Sequence, residues 1–259
     1  MTTYPSTEAV AETYNTPGVK SPIEAIEAYE EYQREWASSE LGSQAISTRM
    51  ELPRGRIRTW KEGGKPDVVR GIKTARENGW LECPVDGETF GALNRLVAGV
   101  FSGGSIFDPS FEPSFSTPDS VVETQLRADL EAIGAGCKKV MSNSGNVEEL
   151  RPKKDATVLG RVLVALGAPQ GQKAKQIDRL PLYLDDAPLS VRREFARVYV
   201  SNRAAERSGR DFVQIQEERS EQYLNSLERL LNSVVDAEVW RNKRAILLRE
   251  SAVDELNNK

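Results

Sequence analysis

The feature that most constrains the fold is an apolar segment at residues 93–106, which reads Leu-Asn-Arg-Leu-Val-Ala-Gly-Val-Phe-Ser-Gly-Gly-Ser-Ile. Its first part is typical of a buried helix, and its two adjacent glycines supply backbone freedom where such a helix ends. The small residues Ala98 and Gly99 would let a second helix approach closely. The segment therefore predicts a helix that stops in a glycine turn and continues as a strand.

Composition is that of a globular protein. The chain has 259 residues, of which 39% are hydrophobic and 29% charged, enough for one large core or two modest ones. No apolar run approaches the roughly eighteen residues that cross a bilayer, so no membrane partner is expected. The first residues lack the basic and apolar regions of a signal peptide, so we expect a cytoplasmic protein.

Two residue types exclude several kinds of site. The chain contains no histidine, which excludes Ser-His-Asp and Cys-His catalysis and histidine metal sites within this chain. Cys83 and Cys137 lack CxxC spacing, so neither a zinc site nor a disulfide framework is expected. We expect no cofactor and no bound metal.

The net charge of −4 conceals a strong segregation of charge. Residues 1–40 hold eight glutamates and two basic residues, whereas residues 49–76 hold nine basic and three acidic residues. Residues 151–210 hold thirteen basic and six acidic residues. Two basic zones suit a polyanion that is contacted at two places, although solvated helices also carry such charge.

Residues 42–61 predict two short helices around a tight break. The first helix covers residues 42–50, with Ala45, Ile46 and Met50 directed inward. Residues 51–53 form the break, because Pro53 cannot continue a helix that starts before it. The second helix covers residues 54–61 and is anchored by Ile57 and Trp60. This pattern resembles a helix-turn-helix of the homeodomain-like or resolvase-like type.

That resemblance implies that the second helix enters a major groove of DNA. Arginine can bind guanine there through two hydrogen bonds, which implies base contacts by Arg54, Arg56 and Arg58. Phosphate contacts are implied for Arg49, Lys61 and Lys65. The alternative interpretation is an ordinary pair of helices with an exposed basic face.

The glycine turn at residues 99–106 resembles the signature motif of LAGLIDADG homing endonucleases, which runs G-L-F-D-G-D-G-S-I. The run here is one residue shorter and has no acidic residue, with Ser102, Gly103 and Gly104 at the degenerate positions. Other segments are similar to the family in the expected order. They are a capped helix ending in Ile133-Gly134, an apolar helix at 159–166, a G-x-P-x-G-x-K connection at 167–173, and a second signature helix at 195–205.

The resemblance implies an α+β fold in which a helical helix-turn-helix module precedes a two-repeat αββαββα domain with a saddle-shaped DNA-binding sheet. We predict a disordered leader at residues 1–20 and the helix-turn-helix module at 21–82. The LAGLIDADG-like domain is predicted at 88–250, with repeats at about 88–150 and 155–250.

In the family, an aspartate at the end of each signature helix holds Mg²⁺ for phosphodiester cleavage. At those positions this chain has serine and glycine in the first repeat and Arg203 in the second, and a cation there would attract phosphate rather than metal. The resemblance therefore implies that cleavage has been lost. The alternative is an active endonuclease that uses Asp108, Glu206 or Asp211, although each of these also fits a turn or cap role.

Further DNA contacts are expected on the second repeat. On a strand at residues 211–216, Gln214 and Gln216 share the face opposite Val213 and Ile215 and could bind base edges. Other candidate contacts are basic, and each could instead be solvated. They are Arg241, Lys243 and Arg244, if residues 239–248 form a strand rather than a C-terminal helix, and Lys173 and Lys175 in the connecting loop.

These patterns predict a sequence-specific, non-enzymatic protein that binds double-stranded DNA, with a transcriptional or chromosome-organising role and a nucleoid location. Two other hypotheses stay open beside it, the active endonuclease and a protein-interaction scaffold. The scaffold would dock partners on the acidic helix at residues 21–35 and on the helix at residues 219–231. A structured RNA is also an open alternative to DNA.

Overall fold

A computed structural model of the chain describes residues 2–15, 21–141, 148–172, 177–206 and 210–258. The N-terminal part is helical apart from a short two-stranded ribbon. Its elements are β1 (Thr3–Tyr4), α1 (Thr7–Ala11), α2 (Pro22–Glu31), a π-helical segment (Tyr32–Trp36), α3 (Ser43–Met50), α4 (Arg54–Lys61), α5 (Asp67–Glu77) and β2 (Cys83–Pro84).

The rest of the chain repeats one order of elements twice, helix–strand–strand–helix–strand–strand–helix. The first repeat contains α6 (Glu88–Ser102), β3 (Ser105–Ile106), β4 (Pro113–Ser116), α7 (Ser120–Ala132), β5 (Cys137–Met141), β6 (Glu148–Pro152) and α8 (Ala156–Ala165). The second contains α9 (Leu189–Arg203), β7 (Ala204–Glu206), β8 (Phe212–Gln216), α10 (Glu221–Asn232), β9 (Val239–Arg241), β10 (Ala245–Arg249) and α11 (Glu250–Asn257). The predicted two-repeat α+β fold is therefore confirmed.

The four strands of each repeat form one antiparallel sheet, and the two sheets have the same strand order. The orders are β3-β4-β6-β5 and β7-β8-β10-β9. Phe115 pairs with Leu150 in the first sheet, and Ile215 pairs with Ile246 in the second. All four side chains are buried. Phe115 and Ile215 therefore hold equivalent positions, on the side of each sheet that faces the helices.

Helices α6 and α9 pack against each other at the centre of the molecule. Each has fifteen residues, and α6 is buried over most of its length. The buried amide of Asn94 donates from Nδ2 to the Val191 carbonyl at 3.0 Å and accepts at Oδ1 from the Tyr183 hydroxyl at 2.7 Å. A buried polar group is tolerated only when it is hydrogen-bonded in this way.

Gly99 faces β4 and α7, and a Cβ atom there would lie 3.4 Å from the Phe115 ring and 3.7 Å from Leu126, which are ordinary contact distances. At Gly104 a Cβ atom would lie 2.5 Å from the Ser114 carbonyl oxygen, so no larger residue fits. Gly104 therefore lets the chain after α6 lie directly on β4.

The N-terminal helices contribute to two separate cores. Helices α1 and α5 join the main core, whereas α2, the π-helical segment, α3 and α4 enclose a second one formed by Tyr29, Tyr32, Ile46, Ile57 and Trp60. Trp80, just after α5, is fully buried, and its Nε1 donates to the Ile133 carbonyl of the first repeat at 2.8 Å. The end of α5 is thereby fixed to the first repeat.

Residues 2–15 are not the disordered leader that the prolines predicted. Strand β1 pairs with β2, and α1 begins after Ser6, whose Oγ accepts from the Ala9 amide at 3.1 Å. Val10 and Ala11 are fully buried in the main core. This apolar burial favours an ordered segment, which the local sequence alone did not indicate. The remainder of the predicted leader, residues 16–20, lies outside the described residues.

The order of the elements bears on two further expectations about the repeats. Helix α8 follows β6 as α11 follows β10, so α8 ends the first repeat. The sequence pattern had instead placed this helix at the start of the second repeat, near residue 155. The late segment at residues 239–248 forms β9 and most of β10, and not a helix. The helix of the C-terminus, α11, starts only at Glu250.

Candidate nucleic-acid interface

The two degenerate signature motifs meet at the ends of α6 and α9. Ser102 and Arg203 are the last residues of these two helices of equal length, so they occupy equivalent positions. Asn202, beside Arg203, donates from Nδ2 to Ser102 Oγ at 2.7 Å, and Ser102 Oγ donates in turn to the Ala98 carbonyl at 2.8 Å. The helix ends are therefore joined by neutral hydrogen bonds.

A buried carboxylate, Glu217, lies beside this junction. It is 5% exposed, and its Oε2 accepts a hydrogen bond of 2.5 Å from the Tyr199 hydroxyl. Its Oε1 lies 3.7 Å from Arg203 Nη2 and 3.6 Å from Arg219 Nε. Arg203 Nη2 also donates to the Gln216 carbonyl at 2.7 Å. One acid is thus shared between two guanidinium groups, which compensates the cost of burying its charge.

Aromatic side chains support the same network. Arg219 lies over the Tyr223 ring, 4.4 Å from its centroid, and donates from Nη2 to the Phe101 carbonyl at 2.7 Å. The Tyr223 hydroxyl donates to that of Tyr199 at 3.2 Å. Burial raises the pKa of both tyrosines well above the usual value of 10.0. Both hydroxyls therefore keep their protons at neutral pH and act as donors.

These residues do not fit a magnesium site. Mg²⁺ needs carboxylate oxygens that are free to enter its coordination shell. Both oxygens of Glu217 already face donors or cations, and the last residues of α6 and α9, Ser102 and Arg203, have no carboxylate. Across the described part of the chain, no group of three or more Asp, Glu or Cys side chains could hold a metal ion.

A cavity of about 1080 Å³ lies over the helix ends. Four basic and two acidic side chains line it, so its formal charge is positive. The lining residues are Ser102, Gly103, Arg203, Ala205, Gln214, Gln216, Glu217, Glu218, Arg219, Lys243 and Arg244. The cavity therefore joins the degenerate motifs to the basic and amide side chains of the second sheet.

The outer face of the second sheet, directed away from the helices, carries the two glutamines. Val213 and Ile215 are buried, and Gln214 and Gln216 alternate with them on β8 as predicted. In the register of the sheet, Leu247 lies opposite Gln214 and Ala245 lies opposite Gln216. The glutamine amides therefore have apolar cross-strand neighbours on this face.

The three basic residues of the late hairpin separate into two groups. Lys243 and Arg244 are exposed in the turn between β9 and β10 and line the cavity. Arg241 does not join them. It faces α10 and forms ion pairs of 3.2 Å with both Glu221 and Glu228. The expectation that Arg241 contacts DNA is corrected, because the register of β9 directs it to the helix side.

The outer face of the first sheet bonds to itself. Ser114 Oγ donates to Glu149 Oε2 at 2.5 Å and accepts from Arg151 Nε at 3.1 Å. Arg151 also pairs with Glu149 at 3.2 Å and lies over the Phe107 ring, 4.8 Å from its centroid. Ser114, Glu149 and Arg151 are therefore bonded to one another, while Lys138, cross-strand from Arg151, is exposed on the same face.

The basic residues of α4 lie on two sides of the helix. At 100° per residue, Arg54, Arg58 and Lys61 share one flank of the buried stripe formed by Ile57 and Trp60, and the half-buried Arg56 lies on the other. Of the three arginines for which base contacts were predicted, Arg54 and Arg58 therefore share a flank and Arg56 does not.

Several of these cations already have partners in the chain. Arg58 Nε donates to Glu62 at 2.8 Å, and Lys61 Nζ donates to the Leu41 carbonyl at 2.7 Å. Arg54 Nε makes a longer bond of 3.4 Å to Ser43 Oγ. Two further exposed cations complete the predicted set, Arg49, which lies over the Trp36 ring, and Lys65.

The substitute acids of the endonuclease hypothesis do not converge with the helix ends. Asp211 is 75% exposed and pairs with Arg249 at 2.6 Å. Asp108 accepts from Gln170 Nε2 at 3.5 Å in a loop beyond β3. Glu206 ends β7, and its side chain lies outside the described residues, as do Lys173 and Lys175.

The docking surfaces of the scaffold hypothesis differ in their availability. The apolar face of α10 is buried against its own repeat, through Tyr223, Leu224, Leu227, Leu230 and Leu231. That face is not free for a partner. On α2, Ala25 and Tyr29 are buried, while Glu24, Glu27 and Glu30 are exposed. The use of this acidic face by a partner stays a prediction.

Sequence reasoning missed the residues that hold the site together, Tyr199, Asn202, Glu217 and Arg219. Glu217 directly follows β8, and a glutamate at the end of a strand is usually exposed to solvent. The one available signal was Tyr199, a tyrosine within an otherwise apolar stretch of α9, because a buried hydroxyl needs a partner.

Among the described residues, no helix combines the length and apolar character needed to cross a membrane. No family model matches the sequence, and no curated protein matches it. Several solved structures are similar to this chain, and two of them are of DUF199/WhiA.

Full-length DUF199/WhiA from Thermatoga maritima is similar over 67% of this chain and 57% of that one, with 9% identity and a TM-score of 0.46. The N-terminal LAGLIDADG domain of DUF199/WhiA is similar over 70% of this chain and 88% of that one, with 10% identity and a TM-score of 0.41. The match thus spans little more than half the length of the full-length protein. In its own element order and strand order, this chain has the two-repeat α+β fold that the LAGLIDADG resemblance implies.

Proposed function

We propose that this protein binds double-stranded DNA across the cavity over the ends of α6 and α9, and that it does not cleave the DNA. The observation that carries the proposal is the lining of that cavity. Arg203, Arg219, Lys243 and Arg244 outnumber its two acids, and Glu217 is held between two of those arginines. A positively charged concave surface attracts the phosphate backbone of a duplex.

Sequence selectivity would come from the outer face of the second sheet. Gln214 and Gln216 lie on this face beside the cavity. A glutamine amide can donate to and accept from one adenine edge, which distinguishes it from other bases. Lys243 and Arg244, in the exposed turn, would position the duplex through its phosphates.

The helix-turn-helix interpretation of α3 and α4 supplies a second contact. Arg54 and Arg58 share an exposed flank of α4, and Arg49 and Lys65 are exposed nearby in sequence. We propose that this flank binds a second segment of the same duplex. Binding at two places on one chain raises the affinity and lengthens the recognised site.

The chemistry of the helix ends supports the proposed absence of cleavage. Metal-dependent hydrolysis of a phosphodiester needs carboxylates that hold the ion, and Ser102 and Arg203 offer none. A non-cleaving, sequence-selective protein suits a transcriptional or chromosome-organising role on the nucleoid. The same positive cavity also suits a structured RNA, which the binding experiment compares directly.

The binding test uses the full chain and a duplex enriched from a random pool by the protein itself. Fluorescence anisotropy at increasing salt should give a steep linear fall of log affinity with log salt. We expect Arg203→Gln to weaken binding about tenfold. Arg179→Gln, which removes an exposed arginine paired with Asp185 outside the cavity, is the matched control and should change little. Salt-insensitive binding, or preference for a folded RNA of equal length, would reject the proposal.

The cleavage test incubates the protein with Mg²⁺ and a supercoiled plasmid that contains the enriched site. We expect no nicked or linear product. Specific nicking would overturn the second half of the proposal and leave the first intact, because binding and cleavage are measured separately.

A further inference from the structure

A second cavity lies between α7 and α9, and it shares no lining residue with the proposed DNA-binding cavity. Its volume is about 400 Å³, which is within the range of small-molecule sites. Much of its lining is apolar, from Val121, Val122, Leu126, Ala128 and Val198. Val121, one of these lining residues, is 75% exposed.

Asp129, which lines this cavity, has one carboxylate oxygen without a partner. The residue is 1% exposed. Its Oδ1 accepts hydrogen bonds from Arg95 Nε at 2.9 Å and Gln125 Nε2 at 3.1 Å, and it lies 2.7 Å from Arg95 Nη2. Among the described residues, nothing donates to its Oδ2. A buried acceptor left in this state is costly unless something else donates to it.

Asn202 contributes a second acceptor of the same kind. Its Nδ2 must face Ser102 Oγ as a donor, because the single hydroxyl proton of Ser102 is used on the Ala98 carbonyl. Asn202 Oδ1 is therefore fixed on the other side, where no described residue donates to it. Seven buried side-chain atoms of the described residues lack a hydrogen-bond partner. The two acceptors among them are Asp129 Oδ2 and Asn202 Oδ1, and both belong to residues that line this cavity.

The charges at the cavity are balanced. Arg95 lies between Asp129 and Glu194, and Arg197 pairs with Glu194 at 3.0 Å. A charged ligand would therefore find no unpaired counter-charge. We propose that this cavity binds a small, neutral, mostly apolar molecule that donates an N–H or O–H group to Asp129 Oδ2.

The test uses two probes of similar size, indole, which has an N–H donor, and quinoline, which has a ring-nitrogen acceptor. Binding to the full chain is measured by calorimetry without DNA, so the result stands apart from the proposed function. We expect indole to bind about tenfold more tightly than quinoline, the effect of one satisfied buried acceptor.

Asp129→Asn should reverse that preference. Arg95 and Gln125 hold the amide oxygen on their side, so the new NH₂ group replaces Oδ2 and favours the quinoline nitrogen. Ala128→Trp, at the exposed edge of the cavity, should abolish the binding of both probes. Ala132→Trp, one helical turn further and outside the lining, should leave it unchanged.

Three results would overturn the proposal. They are equal affinity for the two probes, a preference that Asp129→Asn leaves unchanged, and no binding of either probe, which would mean that the cavity holds water only. If Asp129→Asn fails to fold, the two tryptophan variants still decide, because equal binding by both would exclude this cavity as the site.

Discussion

The outer faces of the two sheets are built from equivalent positions and filled in opposite ways. Glu149 lies cross-strand from Ser116 in the first repeat, whereas Ala245 lies cross-strand from the equivalent Gln216 in the second. On the first face, Ser114, Glu149 and Arg151 are bonded to one another. The second face places its glutamines opposite apolar residues, next to a basic turn. Under the proposed function, the duplicated scaffold uses its second sheet for recognition.

The largest expected difference concerns the basic turn of the second repeat. We expect Lys243→Glu combined with Arg244→Glu to weaken DNA binding about a hundredfold, because two phosphate contacts become two repulsions. The matched control reverses the charges of Lys153 and Lys154, an adjacent exposed pair of the first repeat. It should weaken DNA binding less than about threefold. Anisotropy with the enriched duplex measures both. Equal losses would mean that overall charge, and not the second face, determines affinity.

The next expected difference is in stability. Tyr199→Phe removes the donor to Glu217, which is 5% exposed, and should cost about 2 kcal/mol, since a buried charged acceptor loses its hydrogen bond. For a chain of this size that is a fall in Tm of roughly 4–8 °C. Ser114→Ala removes the donor to Glu149, whose side chain is 24% exposed, and water can replace it. Calorimetry should show that Ser114→Ala lowers the free energy of unfolding by less than about 1 kcal/mol. A loss as large as that of Tyr199→Phe would mean that the two hydrogen bonds contribute equally to stability.

A smaller effect is expected for base readout at the equivalent positions Gln216 and Ser116. Gln216→Ala should weaken binding to the enriched duplex about tenfold and relax the preference at one base pair. Its effect on an unrelated duplex should be slight. Ser116→Ala should change affinity less than about threefold on either duplex. A loss for Gln216→Ala that is the same on both duplexes would assign this residue to backbone contact instead.

The smallest expected effect is the response of the first repeat to acid. Hydrogen bonds from Lys139 and Arg127 lower the pKa of Glu123 below its usual value of 4.5. A lowered pKa means that this contribution is complete above pH 4.5 and is lost as the pH falls through the folded-state value. The Tm of the unmodified chain should therefore fall more steeply below about pH 5 than that of Glu123→Gln. Parallel curves in a thermal scan would contradict this.

The sequence predicted the parts of the fold that depend on local pattern. The apolar run before Gly103 ends as α6, and the alternation around Ile215 gives the two faces of β8. Long-range packing decided what it missed. Glu217 is buried only because Tyr199 and Arg219 converge on it from different elements. Arg241 turned to the helix side because the register of β9 is set by its pairing with β10, which no local pattern specifies.

Trp80 gives the molecule a fixed internal spacing. Because its indole is buried and bonded to the Ile133 carbonyl, α5 is joined to the first repeat by packing rather than by a free linker. Helix α5 packs in turn against α2, whose Tyr29 shares the second core with α4. On a helical duplex, a rigid pair of contacts works as a ruler. Five extra base pairs between the two half-sites would turn one of them to the far side of the double helix, about half a turn away. Binding should therefore be lost when about five base pairs are inserted. When about ten base pairs are inserted, it should recover only if the duplex can bend to close the gap.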